Sequence, residues 1–118
     1  MKKTMIAALL LFGTAAVFAA ITDITGKWTG AVLGPDGNSY NLTYVFKIDG
    51  ENLTGTSDNT LGINAIEHGK IKDNEFVFDI SANGMVIPHK GKVYTDSIAL
   101  DIDYNGTPLH TVLKRAAE

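Results

Sequence analysis

The sequence SYNLTYVFKI, residues 39–48, alternates apolar and mostly polar side chains over ten positions without a break. A period of two is typical of an antiparallel β-strand that has one face in the core and the other in solvent. The same alternation returns in residues 76–80 and 98–104. Because no helical periodicity of useful length follows residue 20, the sequence predicts an all-β fold.

Turn sequences separate the alternating segments. They contain Asn-Gly and Asp-Gly pairs, which provide the positive φ angles of tight hairpins. Seven turns imply eight strands, and we place them at residues 26–33, 39–48, 52–57, 63–72, 75–82, 85–94, 97–104 and 107–115. An antiparallel eight-stranded up-and-down meander that closes into a barrel leaves no open edge, so this is the predicted architecture. A two-sheet β-sandwich is the alternative.

A weak internal repeat supports this number of strands. Residues 69–71, Gly-Lys-Ile, return as the Gly-Lys-Val of residues 91–93, and the Asn-Gly of residues 83–84 returns at residues 105–106. Both shifts are 22 residues, and a fixed period of this size indicates a repeated hairpin unit. A meander with strands of equal length would give a similar period, so the repeat supports the architecture under either explanation.

The beginning of the chain resembles an export signal. Two lysines precede an apolar run over residues 5–18, and Ala19 offers a cleavage site for a signal peptidase. The run is shorter than the ~20 residues that a membrane-spanning helix needs. The sequence has no cysteine, which excludes a lipid-modified N-terminus and disulfides. We therefore expect a cleaved signal peptide at residues 1–19, a single β-barrel domain at residues 20–118, and a periplasmic or secreted protein.

The charge of the chain limits its partners. Removal of Lys2 and Lys3 with the signal leaves eight basic against thirteen acidic residues, a net charge of about −5. Nucleic acids and anionic membrane surfaces are bound through basic faces. We therefore expect no nucleic-acid partner, and no membrane association after signal cleavage.

The predicted outward faces can be compared by charge. The fourth and sixth strands present basic side chains, whereas the fifth and seventh present acidic ones: His68, Lys70, Lys72, Lys90 and Lys92 against Glu75, Asp79, Asp101 and Asp103. Opposite charges on neighbouring strands contribute ~0.2–1 kcal/mol per pair and help to fix the register. The lysines therefore have a structural explanation and do not indicate a binding patch.

Residues on the first and last predicted strands resemble the signature of a known family. Gly26-Lys27-Trp28 lies on the first strand, and Arg115 closes the last. This pattern resembles the calycin signature of lipocalins, fatty-acid-binding proteins and avidins, in which a Gly-x-Trp packs under a basic residue from the final strand. The resemblance implies that Trp28 and Arg115 form a structural pair at the floor of the barrel, with the guanidinium on the face of the indole.

Biotin binding, the function of the avidin branch, is not expected. Gly30 and Gly34 stand where the avidin pattern implies polar ligands for the vitamin. The chain also has a single tryptophan, so no second indole exists to enclose a biotin.

The end opposite Trp28 is the candidate ligand site. Inward-facing residues near this mouth are mainly apolar, and Glu67, His89 and Thr111 are the polar exceptions. The whole set is Tyr40, Leu42, Ile63, Ala65, Glu67, Met85, Ile87, His89, Tyr104, Leu109 and Thr111. A mainly apolar cavity with a few polar groups is typical of a small-molecule site. The alternative is a solid interior, because eight strands form a barrel that its own side chains can just fill.

The sequence gives little support for catalysis. His68, His89 and His110 fall on three non-adjacent strands, and His89 faces opposite to the other two, so we expect no metal site. Asp101 and Asp103 lie in a solvated setting unsuited to general acid catalysis. No nucleophile elbow or phosphate-binding loop occurs in the sequence.

We therefore predict no catalytic residues and no cofactor. The predicted function is that of an exported, non-enzymatic barrel that binds a small apolar ligand at its open end or a protein partner through its loops. The alternative is a structural or interaction module with a solid core, acting as an accessory to secreted or periplasmic proteins.

Overall fold

The computed structural model describes residues 23–116. The predicted signal peptide at residues 1–19 lies outside this range. Eight strands follow one another: β1 (Gly26–Leu33), β2 (Ser39–Asp49), β3 (Asn52–Asn59), β4 (Gly62–Lys72), β5 (Glu75–Ala82), β6 (Met85–Val93), β7 (Ser97–Tyr104) and β8 (Thr107–Arg115). Across residues 23–116 there is no helix long and apolar enough to cross a membrane.

Each strand pairs antiparallel with the next, and β8 pairs with β1 to close a barrel. The prediction of an all-β, eight-stranded up-and-down barrel is therefore confirmed, and the two-sheet sandwich is excluded. The connections are tight because their residues reach positive φ. Asn83 and Gly84 have φ angles of 54° and 78°, and Asn105 and Gly106 have φ angles of 52° and 90°. These values suit the type I′ turns that Asn-Gly favours between antiparallel strands.

Strand β4 contains a β-bulge that simple alternation does not reveal. Its register with β5 shifts between Glu67 and Lys70, and His68 within this interval has a φ of 56°. One extra residue in a strand reverses the facing of all side chains on one side of it. Consequently the residues after the bulge face as predicted, and the residues before it face the opposite way.

The bulge overturns the predicted orientation of part of β4. Ile63 is 72% exposed, and Glu67 lies on the outer surface, where its carboxylate accepts a hydrogen bond from Ser81 at 2.7 Å. The prediction that Ile63 and Glu67 face the interior is therefore wrong, and the same holds for Ala65. Ile66 is buried in the core instead.

Aromatic side chains fill the half of the barrel near Trp28. The rings of Tyr44 and Phe46 stack at 5.7 Å between centroids, and those of Phe76 and Phe78 stack at 6.0 Å. Such pairs add to the stabilisation that apolar burial provides. Gly91 leaves room for this packing, since a Cβ at that position would lie 2.1 Å from the ring of Phe76. The floor half of the barrel is thus solid.

The barrel wall loosens between β6 and β7 toward the mouth. The backbone pairing of these two strands ends at His89 opposite Ile102, although β6 continues back to Met85. The Tyr94 amide donates to β7, so by alternation residue 88 should also donate to that strand. This residue is Pro88, which has no N–H, and the ladder therefore stops there.

Candidate functional site

A cavity of about 370 Å³ opens at the mouth of the barrel, opposite Trp28. This volume is in the lower part of the range for small-molecule sites, about 300–1,000 Å³. The walls are mainly aliphatic and aromatic, with polar groups gathered on β2, β3 and β6: Val32, Gly34, Pro35, Asp36, Tyr40, Leu42, Tyr44, Ser57, Asn59, Thr60, Leu61, Ile80, Ile87, His89, Ile102, Tyr104 and Leu109.

Six residues of the predicted ligand site line this cavity: Tyr40, Leu42, Ile87, His89, Tyr104 and Leu109. The other five lie elsewhere. Met85 packs against the hydrophobic core, and Ile63, Ala65 and Glu67 are on the outer surface. Thr111 is buried, and its hydroxyl donates to the Ala31 carbonyl at 2.6 Å, which joins β8 to β1. Whether the six lining residues bind a ligand stays a prediction.

The polar residues contributed by β3 were not among those predicted from the sequence. The predicted strand ended at residue 57, whereas β3 continues to Asn59. Alternation from the buried Leu53 places Ser57 and Asn59 on the inner face, so the existing pattern carried this signal. The segment between the two predicted strands is polar and rich in turn formers, and this composition hides the end of β3.

His89 and Tyr44 form a buried hydrogen-bonded pair inside the cavity. The Nδ1 atom of His89 lies 2.8 Å from the Ile87 carbonyl oxygen, which can only accept, so Nδ1 carries the proton. The Nε2 atom is then the acceptor for the Tyr44 hydroxyl at 3.1 Å. This assignment fixes the orientation of both side chains.

Burial keeps both members of this pair uncharged. It lowers the pKa of His89 to about 4, against smaller opposing effects of the Ile87 carbonyl and the Asp79 carboxylate. Burial raises the pKa of Tyr44 above its usual range, and the neighbouring Ser57 hydroxyl acts weakly in the opposite direction. At neutral pH the pair therefore presents a neutral imidazole and a neutral phenol.

A second group of hydrogen bonds continues along β3. The Asn59 Nδ2 atom donates to the Ser57 hydroxyl oxygen at 3.1 Å, and the Leu61 amide donates to Asn59 Oδ1 at 2.7 Å. Asn64 lies opposite Ser57 in the register of β3 with β4. Its Nδ2 atom is buried and has no hydrogen-bond partner among the described residues. Asn64 is not among the residues that line the cavity, whereas Ser57 and Asn59 line it and keep hydrogen-bonding capacity beyond these bonds.

The rim of the cavity carries a negative charge. Asp36 accepts hydrogen bonds from the Tyr40 hydroxyl and from the Asn38 amide. The bond from Tyr40 is the largest of the effects that lower the pKa of Asp36, so this group is a carboxylate at neutral pH. Among the described residues that line the cavity, none is Lys or Arg.

The opposite end of the barrel is closed by Trp28 and Arg115. The two residues are register partners on β1 and β8, and the guanidinium carbon lies 4.4 Å from the centre of the indole. Trp28 is 2% exposed and donates from Nε1 to the Ile24 carbonyl at 2.9 Å. Arg115 donates to the carbonyls of Thr25 and Asp23. This is the arrangement that the calycin resemblance implies, with an Arg–indole contact holding the chain ends together.

Two histidines pair with carboxylates on the outer wall. His68 Nδ1 lies 3.0 Å from Asp79, and His110 Nδ1 lies 2.7 Å from Asp101. Lys90 is the register partner of Asp101 on its other side. The predicted alternation of basic and acidic strands is therefore present. Within residues 23–116, no group of three or more His, Asp or Glu side chains is placed to hold a metal ion.

Comparison with solved structures finds barrels of the same shape. A fatty acid transporter, REP1-NXSQ, superposes with a TM-score of 0.57 and 16% sequence identity, covering 81% of this chain and 98% of that chain. A crystal structure of a variant of the fluorescent protein UnaG gives a TM-score of 0.53 and 9% identity, covering 80% of this chain and 97% of that chain.

These similarities establish a calycin-like small β-barrel fold. At such low identity they concern the fold alone, because one fold carries many functions. No protein-family model matches the sequence, and no curated protein sequence matches it. The function must therefore be argued from the site.

Proposed function

We propose that this protein is an exported, non-enzymatic barrel that holds a small, mainly apolar ligand in the cavity at its mouth. The observation that carries the proposal is the cavity of about 370 Å³, lined by aliphatic and aromatic side chains around a polar strip formed by Tyr44, Ser57, Asn59 and His89. Buried apolar walls favour an apolar ligand at about 25 cal/mol per Å² removed from water. The polar strip then orients the ligand.

The cavity favours this function over the module with a solid core. A barrel that acts through its outer surface gains nothing from a mouth half without packed side chains, since empty apolar volume reduces stability. The partner-binding alternative through the loops also makes no use of the buried polar strip. The occurrence of a fatty acid transporter among proteins of similar fold agrees with a ligand-binding role.

The non-enzymatic part of the proposal rests on the chemistry of the buried groups. His89 is the histidine that lines the cavity, and its pKa of about 4 makes it a weak base at neutral pH. Its Nε2 atom already accepts from Tyr44. Neither group is therefore free to activate a nucleophile in this arrangement.

Export is the remaining part of the proposal. It rests on the lysines, apolar run and cleavage site of residues 1–19. The intact mass of the protein from its native host should correspond to a chain that begins at Ala20. Recovery of the full-length chain from the cytoplasmic fraction alone would contradict export without affecting the ligand site.

Native mass spectrometry of protein purified gently from its own host tests the ligand-binding part. We expect a retained small-molecule mass on the wild type. The Leu109→Trp variant should lose that mass, because the indole fills space at the cavity wall. Val112→Trp is the matched control, since it places the same side chain on the outer face of β8, where Val112 is exposed.

The control variant should retain the ligand mass at the wild-type level. Equal retention by Leu109→Trp and Val112→Trp would place the ligand outside the cavity. A wild-type protein that carries no ligand and binds no apolar probe would contradict the ligand-binding proposal.

A further inference from the structure

We propose that the natural ligand is uncharged, with an apolar body and a hydroxyl or carboxamide head group that hydrogen-bonds to Tyr44, Ser57 and Asn59. This inference rests on the proposed ligand-binding function and specifies the chemical class of the ligand. It separates this site from one that would hold a carboxylate. The inference rests on the charge of the cavity and on the hydrogen-bonding capacity of its polar groups.

The charge of the cavity disfavours an anion. Transfer of a carboxylate from water into an apolar cavity has a large cost unless a cation and hydrogen bonds compensate for it. None of the described residues that line the cavity is Lys or Arg, and the buried imidazole of His89 is neutral. Arg115 stacks on Trp28 at the closed end of the barrel. An anionic head group would therefore be buried without a counterion.

The rim adds to this discrimination. Asp36 remains ionised because Tyr40 donates a hydrogen bond to it, and its carboxylate lines the cavity entrance. An anionic ligand would pass a like charge before it lost its own hydration. An uncharged ligand meets neither barrier.

The cavity also disfavours a cation. Asp36, the acidic side chain among the lining residues, is at the exposed rim and is already paired with Tyr40 and Asn38. The deeper polar groups are hydroxyls, an amide and a neutral imidazole. An ammonium group beside them would lose its hydration without gaining a buried carboxylate partner.

The unused hydrogen-bonding capacity defines the head group. The Tyr44 hydroxyl donates a hydrogen bond to His89 and its oxygen can still accept one, and the Ser57 oxygen has one more acceptor site after its bond from Asn59. Asn59 Nδ2 uses one of its two N–H groups in that bond and keeps the second to donate. Donors and acceptors therefore lie side by side.

A group that both donates and accepts matches this arrangement. Hydroxyl and carboxamide groups do so without carrying charge, whereas an ether or ester can only accept. A head group that leaves buried polar groups of the cavity unpaired does not compensate for the cost of removing those groups from water. This cost makes the match selective. The geometry thus favours alcohols and primary amides over esters, acids and amines of the same length.

Probes of one chain length test the inference: 1-decanol, decanamide, methyl decanoate, decanoate and decylammonium, each titrated into the mature barrel at pH 7.5 below its aggregation limit. We expect decanol and decanamide to bind at least tenfold more tightly than decanoate and decylammonium. Lowering the pH to 5.5 should strengthen binding of the acid by up to about a hundredfold, because its neutral fraction rises by that factor. Binding of decanol should stay unchanged.

Variants at the polar strip locate the head group. Ser57→Ala and Tyr44→Phe should each weaken decanol binding by about threefold to tenfold, the usual effect of one lost hydrogen bond. Thr56→Ala is the matched control, because this residue pairs with the exposed Val45 and its side chain faces away from the cavity. Thermal unfolding of each variant verifies that the barrel is intact.

The outcomes separate the inference from the proposed function. Binding of decanoate or decylammonium as tight as that of decanol at pH 7.5 would overturn the uncharged ligand and leave a ligand-binding barrel in place. Equal effects of Ser57→Ala and Thr56→Ala would overturn the assigned head-group site. No binding of any probe would overturn both proposals.

Discussion

His89 shows how one side chain couples the site to the stability of the barrel. Its ring stacks on Phe78 at 4.5 Å and accepts from Tyr44, and burial holds its pKa at about 4. In the unfolded chain the pKa of a histidine is about 6.5. The unfolded chain therefore binds the proton more readily, so stability falls as the pH decreases from about 6.5 toward 4.

This linkage gives a prediction at the residue scale. Between pH 7.5 and pH 5, the wild type should lose about 2 kcal/mol more free energy of unfolding than His89→Gln, which keeps a polar side chain but does not titrate. The nearest charged group, Asp79, acts in the opposite direction and is present in both proteins. Urea unfolding at several pH values measures the difference. Parallel stability curves for the two proteins would contradict a neutral, buried His89.

At the scale of single elements, β6 explains where the wall loosens. Pro88 occupies a position whose amide would point to β7, and pairing with β7 is recorded only from His89 onward. The Val86 amide faces the same neighbour by alternation and lies beyond the end of the recorded ladder. The Val86 amide proton is therefore less protected from exchange with solvent than the amide protons in the paired part of β6.

Hydrogen exchange followed by NMR tests this account of β6. The Val86 amide should exchange at least tenfold faster than the amides of Lys90 and Lys92, which lie within the paired segment. In Pro88→Val, which restores the missing donor opposite Asp103, the new amide of residue 88 should exchange more slowly than that of Val86. Exchange at Val86 as slow as at Lys90 in the wild type would mean that the ladder continues past Pro88.

The elements also show what the sequence can and cannot predict. Alternation and Asn-Gly turns place all eight strands, because side-chain facing and turn geometry are local properties of the chain. The bulge in β4 depends on the registers with two neighbouring strands, and a single histidine within an alternating segment does not locate it. The misplaced Ile63 and Glu67 both follow from that single extra residue.

The same distinction applies to the site. Six lining residues were predictable, because β2, β6, β7 and β8 keep a strict period of two. Ser57 and Asn59 were not predicted, although alternation from Leu53 places them on the inner face, because their polar segment resembles a turn. The tautomer of His89 depends on the Ile87 carbonyl, a contact that only the folded backbone provides.

For the whole molecule, the barrel divides into a solid half and a hollow half. The stacked aromatic residues and the Trp28–Arg115 pair fill and seal one end, while the other end encloses about 370 Å³ beside a strip of neutral polar groups. The solid half can supply most of the stability, because it buries the largest side chains. The hollow half then provides the volume for the proposed ligand.

The most direct test of this account is an isotope-filtered NMR measurement on the barrel saturated with 1-decanol. A ligand in the mouth of the barrel should give intermolecular NOEs from the alkyl chain to the methyl groups of Ile87, Ile102 and Leu109 at the cavity. It should give none to those of Ile24 and Leu113, which are buried in the core away from the cavity. NOEs confined to outward-facing methyl groups such as Val77 and Val112, or no NOE at saturation, would contradict a ligand site in the mouth of the barrel.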